Sequence, residues 1–174
     1  MEWLEKLEQV WSELSDRSSD DFVRAIEGIV ADPAVPPERK AFEMACAHDS
    51  TGRSDLAVPG YRDALNSGLT GYEGRRAKIQ LASSLRNLGQ FSESLEILDE
   101  ESTDVGDGLD DAVTVFHSLA LVDVGREREA VAQLLHALTD QLPRYTASVH
   151  RYADARQSSI STSADRIRSN TSSA

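Results

Sequence analysis

The chain carries one cysteine, Cys46, among its 174 residues. A lone thiol excludes an internal disulfide and a thiolate-rich metal cluster. Aromatic residues are also scarce, at 6% with four Phe and two Trp, so the core has to be filled with Leu, Ala and Val, as in an all-helical protein. Basic residues are outnumbered: 18 Lys and Arg stand against 30 Asp and Glu, for a formal net charge of -12. That balance argues against the nucleic-acid backbone or an anionic membrane as main partner, while leaving room for a small basic patch. No uninterrupted apolar stretch approaches membrane-spanning length, and the opening Met1-Glu2-Trp3 has neither a basic region nor an apolar signal core. A cytoplasmic protein without membrane insertion is expected.

Catalytic signatures are missing as well. There is no Gly-rich phosphate loop, no nucleophile elbow and no His-Glu-x-x-His. His48, His117, His136 and His150 are scattered without metal-ligand spacing; His48 and His117 fall at packing positions, His136 and His150 at surface ones. His48 does not face Cys46 on a helix, and Cys46 reads as a small buried apolar group. The expectation is a protein that is not an enzyme and needs no cofactor or metal.

The helical pattern begins at once. Trp3, Leu4, Leu7, Val10, Trp11 and Leu14 form a stripe at three- and four-residue spacing. After the break at 16–20, Ser19 or Asp20 is placed to cap a second helix bearing Phe22, Val23, Ile26, Ile29 and Val30. Pro33, Pro36 and Pro37 end it, and Pro37 suits the first turn of the next helix. Residues 1–36 read as an N-terminal helical pair, a degenerate repeat or cap. Helices are then expected at 38–51 and 54–67, 73–88 and 91–101, and 110–124 and 127–141. Pro59 calls for a kink or a late start in the second of these. The acidic run from Asp99 to Asp111 reads as a solvated loop. A terminal element with Tyr145, Val149, Tyr152 and Ala153 at helical spacing completes the region 37–156. Residues 157–174, dominated by Ser and Thr, read as a flexible tail.

Three segments, Glu38–Leu69, Arg75–Gly106 and Asp111–Leu142, superimpose on Gly52, Gly89 and Gly125. Five positions past each glycine stands a small residue (Ala57, Ser94, Ala130), and nine past a large one (Tyr61, Leu98, Leu134). Small residues at Ala45, Ala82 and Ser118 let paired helices approach to about 8–10 Å. A helix–turn–helix unit with a period near 34 residues is the pattern of a tetratricopeptide array. The phrase Leu81-Ala82-Ser83-Ser84-Leu85-Arg86-Asn87-Leu88-Gly89-Gln90-Phe91-Ser92-Glu93-Ser94-Leu95 resembles the core of one such unit. Over roughly residues 38–156 the chain is similar to a bacterial group of small tetratricopeptide proteins of largely unassigned function. His117, Ser54 and Glu101 depart from the pattern, standing where a Leu, an aromatic and a small residue are usual.

The resemblance implies an all-α, right-handed superhelix of antiparallel helix pairs that binds a protein or peptide on its concave face. Groove positions carried over from the family fall on Arg39, Phe42, Glu43, Cys46, Asp49 and Ser50 in the first unit. The second unit supplies Arg76, Ile79, Gln80, Ser83, Arg86 and Asn87, and the third an apolar strip of Val115, Phe116, Leu119 and Val122. Arg39, Glu43, Arg76, Ile79, Gln80, Ser83, Arg86, Asn87 and Phe116 are the ligand candidates. Arginine pairs in bidentate fashion with carboxylates, and Asn and Gln can hold peptide backbone, so a peptide with a carboxylate is one expected ligand. Alternatively, Arg76 and Arg86 only pair with nearby acids such as Glu43, Asp49 or Asp123. The apolar strip either lines a pocket or lies under the terminal helix around Val149 and Tyr152, the reading preferred here. A chaperone tail is not expected, since Glu43 and Ser83 stand where that clamp uses basic or amide groups. The rival function is self-association: a stripe of Trp3, Val10 and Trp11 left uncovered would favour a homodimer.

Overall fold

A computed structural model describes residues 2–103, 105–139 and 141–156. Among them every regular element is helical: α1 Glu2–Ser12, α2 Ser19–Val30, α3 Pro37–Ser50, α4 Ser54–Asn66, α5 Gly71–Asn87, α6 Phe91–Glu101, α7 Asp110–Asp123 and α8 Glu127–Thr139, with a final helix α9 over 146–156. The chain divides into two compact units, Met1–Ile97 and Leu98–Ala174, with the boundary inside α6. The tail expected at 157–174 lies outside the described residues.

Within the first unit α4 packs on both α3 and α5, and α2 on α1 and α3. One core cluster gathers Phe42, Ala45, Ala57, Tyr61, Ala64, Ala77, Leu81 and Leu85. A second gathers Trp3, Leu7, Val10, Phe22, Ile26, Val30 and Val35. Trp11 packs against both, with its ring edge-on to Phe22 at 4.9 Å between centroids. The Trp3–Val10–Trp11 stripe is therefore covered within the chain itself. It does not form the exposed aromatic face on which the self-association reading rested.

The hairpin turns show why glycine recurs at a fixed place. Gly52, Gly89 and Gly125 all have φ between 74° and 77°, a left-handed conformation that costs a residue with a Cβ about 1–2 kcal/mol. In each turn the glycine N–H bonds the carbonyl three residues back (Asp49, Arg86, Val122). The next N–H bonds the carbonyl five back: Arg53 to His48, Gln90 to Leu85 and Arg126 to Leu121, at 2.8–2.9 Å. This double closure satisfies helix-end carbonyls and turns the chain into the next helix. The small residues sit where the helices approach. Ala45, Ala57 and Ala82 are fully buried, and Ser94, also buried, donates its hydroxyl to the Ala82 carbonyl at 2.7 Å. Gly60 belongs to the same contact, because a Cβ there would stand 3.0 Å from the Ala45 Cβ.

Local expectations are corrected in two places, and the acidic loop gains a detail. The cap of α2 is Ser18, whose hydroxyl accepts the Asp21 N–H at 3.2 Å and donates to the Asp21 carboxylate at 2.6 Å. Helix α4 starts at Ser54, so Pro59 causes no late start; it lies inside the helix on the exposed side. The acidic loop is tied down by Asp110, whose carboxylate accepts the N–H groups of Val105 and Gly106 at 3.1 and 2.8 Å.

In the second unit α7 packs on α8. His117, the departure from the repeat pattern, is buried, with Nε2 2.8 Å from Asp99 Oδ1 and Nδ1 3.0 Å from Gln133 Oε1. Two polar partners allow an imidazole where a Leu is usual. The terminal helix buries Ala153 but leaves Tyr152 exposed, and Val115, Leu119 and Val122 of α7 are exposed too. The preferred reading, in which α9 folds over that strip, is thereby overturned.

Candidate functional site

A cleft of about 480 Å³ opens in the first unit, lined by Leu4, Leu7, Glu8 and Trp11 of α1, Arg39, Glu43, Cys46 and Ser50 of α3, and Glu73, Arg76 and Gln80 of α5. Its size is within the range of small-ligand and peptide side-chain pockets, about 300–1,000 Å³. Periodicity explains the lining. Arg39, Glu43, Cys46 and Ser50 are three and four residues apart on α3, as are Glu73, Arg76 and Gln80 on α5, so each set shares one helical face.

The polar groups form a chain of bonds. The Trp11 indole N–H donates to Glu43 Oε2 at 3.0 Å. The other Glu43 oxygen accepts from Arg39 Nη2 at 2.7 Å, and Arg39 Nη1 reaches Glu73 Oε1 at 2.6 Å. The second Glu73 oxygen meets Arg76 Nη1 at 3.3 Å. Both guanidinium groups also lie over the buried Phe42 ring, Arg39 at 5.6 Å and Arg76 at 5.3 Å from its centroid, near enough for cation–π attraction.

The two arginines are not equivalent. Arg39 is 20% exposed and holds two carboxylates. Burial pulls its pKa down, but Glu73 and Glu43 more than offset that, and the net shift is upward. Arg76 is 38% exposed and reaches Glu73 through one longer contact. Beside them the Cys46 thiol donates weakly to Gln80 Oε1 at 3.5 Å. Burial, with the Glu43 charge adding to it, pushes that thiol up to about 12. Cys46 is thus the inert packing group its sequence position implies, not a nucleophile.

Of the nine ligand candidates, the cleft brings together Arg39, Glu43, Arg76 and Gln80. Ile79 is buried in the protein. Asn87 donates its amide to Ser54 Oγ at 3.1 Å, bonding helix to helix. Ser83 and Arg86 are half-buried on α5, away from the cleft lining. Phe116 belongs to the second unit, where it too is half-buried. Asp49 joins neighbouring helices by accepting from Tyr61 at 3.3 Å and Ser84 at 2.8 Å. Arg76 pairs with Glu73, an acid outside the set expected for it. Sequence reasoning missed Glu73, Glu8 and Trp11. Glu73 precedes Arg76 by three residues on one helix, a spacing that signals a pair; nothing in the sequence places α1 at the cleft.

No described helix is long and apolar enough to cross a membrane. Among the described residues, no group of three or more His, Cys, Asp or Glu side chains could hold a metal ion. A family model described as Tetratrico peptide repeat matches residues 38–156. No curated protein and no solved structure matches the chain significantly.

Proposed function

Because the chain belongs to the tetratricopeptide repeat family, we propose that it is a non-catalytic adaptor whose α1–α3–α5 cleft takes up a segment of a partner protein or peptide. The observation that carries this reading is Arg76: stacked over Phe42, open to solvent, and tied to Glu73 by one 3.3 Å contact. A ligand carboxylate can replace Glu73 on Arg76 without disturbing the tighter Arg39–Glu43–Trp11 bonds. Gln80 stands beside it as an amide for peptide backbone. Leu4 and Trp11 of α1 offer apolar surface to an adjoining side chain. With three carboxylates and two guanidinium groups on the lining, the cleft favours a segment carrying both signs of charge over a polyanion.

Selection of a random peptide library with free C-termini against the full chain tests the proposal. Selected peptides should shift the NMR signals of the Gln80 side-chain amide and the Trp11 indole. Arg76→Gln should weaken them at least tenfold at unchanged melting temperature. Selected peptides that leave both signals in place and bind Arg76→Gln equally well would sink the cleft as the binding site.

A further inference from the structure

Outside the cleft, the fold brings together two histidines that no sequence motif links. His136 stands on α8 and His150 on α9, and their Nδ1 atoms are 3.2 Å apart, with ring centroids 5.4 Å apart and tilted by 36°. The far nitrogen of His136, Nε2, lies 3.4 Å from Asp154 Oδ1, one turn along α9 from His150. His150 is exposed and His136 partly so, which leaves the pair open to solvent.

The geometry points to a transition-metal site, with His136 and His150 as ligands through Nδ1 and Asp154 as the carboxylate that orients His136. Two imidazole nitrogens bound to one tetrahedral zinc, each at about 2.0–2.1 Å, are about 3.3 Å apart. The observed 3.2 Å matches that bite. A carboxylate on the second ring nitrogen is the usual companion of a metal-bound histidine. A proton held on Nε2 toward Asp154, 3.4 Å away, would leave the Nδ1 lone pair of His136 free to bind. In that tautomer the metal-free pair would be closed by the Nδ1 proton of His150. Binding requires only that His150 shift this proton to its own exposed Nε2 through water, with no net change in charge on either ring. Water completes the coordination, because two side chains alone supply ligands. Imidazole pairs suit Zn²⁺, Cu²⁺ and Ni²⁺ rather than Mg²⁺ or Ca²⁺. Since the two ligands sit on different helices, the ion would clip α9 to α8.

Titration of the full chain with Zn²⁺, followed by calorimetry and by the histidine C–H resonances, tests the site. The expected result is one equivalent bound, with His136 and His150 signals moving together and those of His48 and His117 in place. Zinc should also raise the melting temperature. His150→Gln changes an exposed residue and should fold normally; it should lose at least tenfold in affinity together with the zinc-dependent melting shift. Asp154→Asn should lose about tenfold or more through mis-orientation of His136, and Mg²⁺ should reproduce none of these effects. Zinc affinity unchanged in His150→Gln, movement of only one of the two histidine signals, or no binding at all would overturn the assignment.

Discussion

Trp11 donates its indole N–H to the carboxylate of Glu43 at 3.0 Å across 32 residues of sequence. That bond joins the N-terminal helix to the first repeat helix at the edge of the cleft. Glu43 is only 6% exposed, so its two partners, Trp11 and Arg39, replace most of its water. Trp11→Phe keeps a ring beside Phe22 but removes the donor. It should cost about 1.5–3 kcal/mol, as for a hydrogen bond to a charged, desolvated group. Urea unfolding of Trp11→Phe, Glu43→Gln and the double variant checks this. Additive losses would show that the two side chains do not interact in solution.

Two helical glycines should respond to alanine with opposite signs. Gly28 on α2 is exposed and has nothing within 4 Å of an added Cβ, so Gly28→Ala should stabilise the chain by about 0.5–1 kcal/mol. Gly60→Ala gains the same propensity but drives its Cβ to 3.0 Å from the Ala45 Cβ and 3.4 Å from the Ala45 Cα. Neither Ala45 atom can rotate away, and overpacking of this kind costs about 1–3 kcal/mol. The net effect should be destabilising, and Ala45→Gly in the same chain should recover part of it. A higher melting temperature for Gly60→Ala alone would show that α3 and α4 have room to spare.

Gly60 also marks the limit of what was legible in the sequence. The hairpins and their turns could be read because each rests on local chemistry: a helical period, and a glycine that a left-handed turn requires. The approach of α4 to α3 was foreseen at Ala45 and Ala57 but not at Gly60, which falls outside the glycine-anchored pattern. The cleft was half legible. Arg39, Glu43, Arg76 and Gln80 follow from their helical positions, whereas Trp11 reaches the cleft only because α1 packs on α2. Read alone, the Trp3–Trp11 stripe looks like a face in search of a partner; folded, its partners are Phe22 and Ile26. The Asn87–Ser54 bond was not legible, since a polar side chain's partner depends on packing between helices and not on its own helix.

Alkaline pH should weaken the fold through Cys46. Its thiol is raised from an ordinary value of 9.0 to about 12 by burial. Between those values the unfolded chain releases a proton that the folded chain keeps. Stability therefore falls as pH rises through that interval and is unaffected by this group below it. Cys46→Ala should flatten the alkaline limb of stability against pH, measured by urea unfolding. The Tyr61 phenol is pushed upward by burial and also by Cys46 itself, so the comparison is made in a Tyr61→Phe background, where only the thiol differs. Equal slopes in the two chains would mean that the thiol is already ionised, or already exposed, in the folded state.

The contrast between Arg39 and Arg76 gives the most direct separation of structure from binding. Arg39→Gln leaves Glu43 nearly buried with Trp11 as its one remaining partner and breaks the tighter contact to Glu73. Removing one member of a largely buried ion pair costs about 3–5 kcal/mol, so this variant should melt markedly lower and lose peptide binding as a consequence. Arg76→Gln breaks one 3.3 Å contact between groups 38% and 32% exposed, worth no more than about 1 kcal/mol. It should keep its helical signal and melting temperature while losing the peptides selected on the native chain. Arg86→Gln in that background separates the cleft from the rest of α5, since Arg86 does not line it: added to Arg76→Gln, it should cost no further affinity. Side-by-side urea curves and peptide titrations of the three variants decide the matter. If Arg76→Gln is as destabilised as Arg39→Gln, both guanidinium groups are there to hold α3 and α5 together, and the cleft loses its anchor for a ligand.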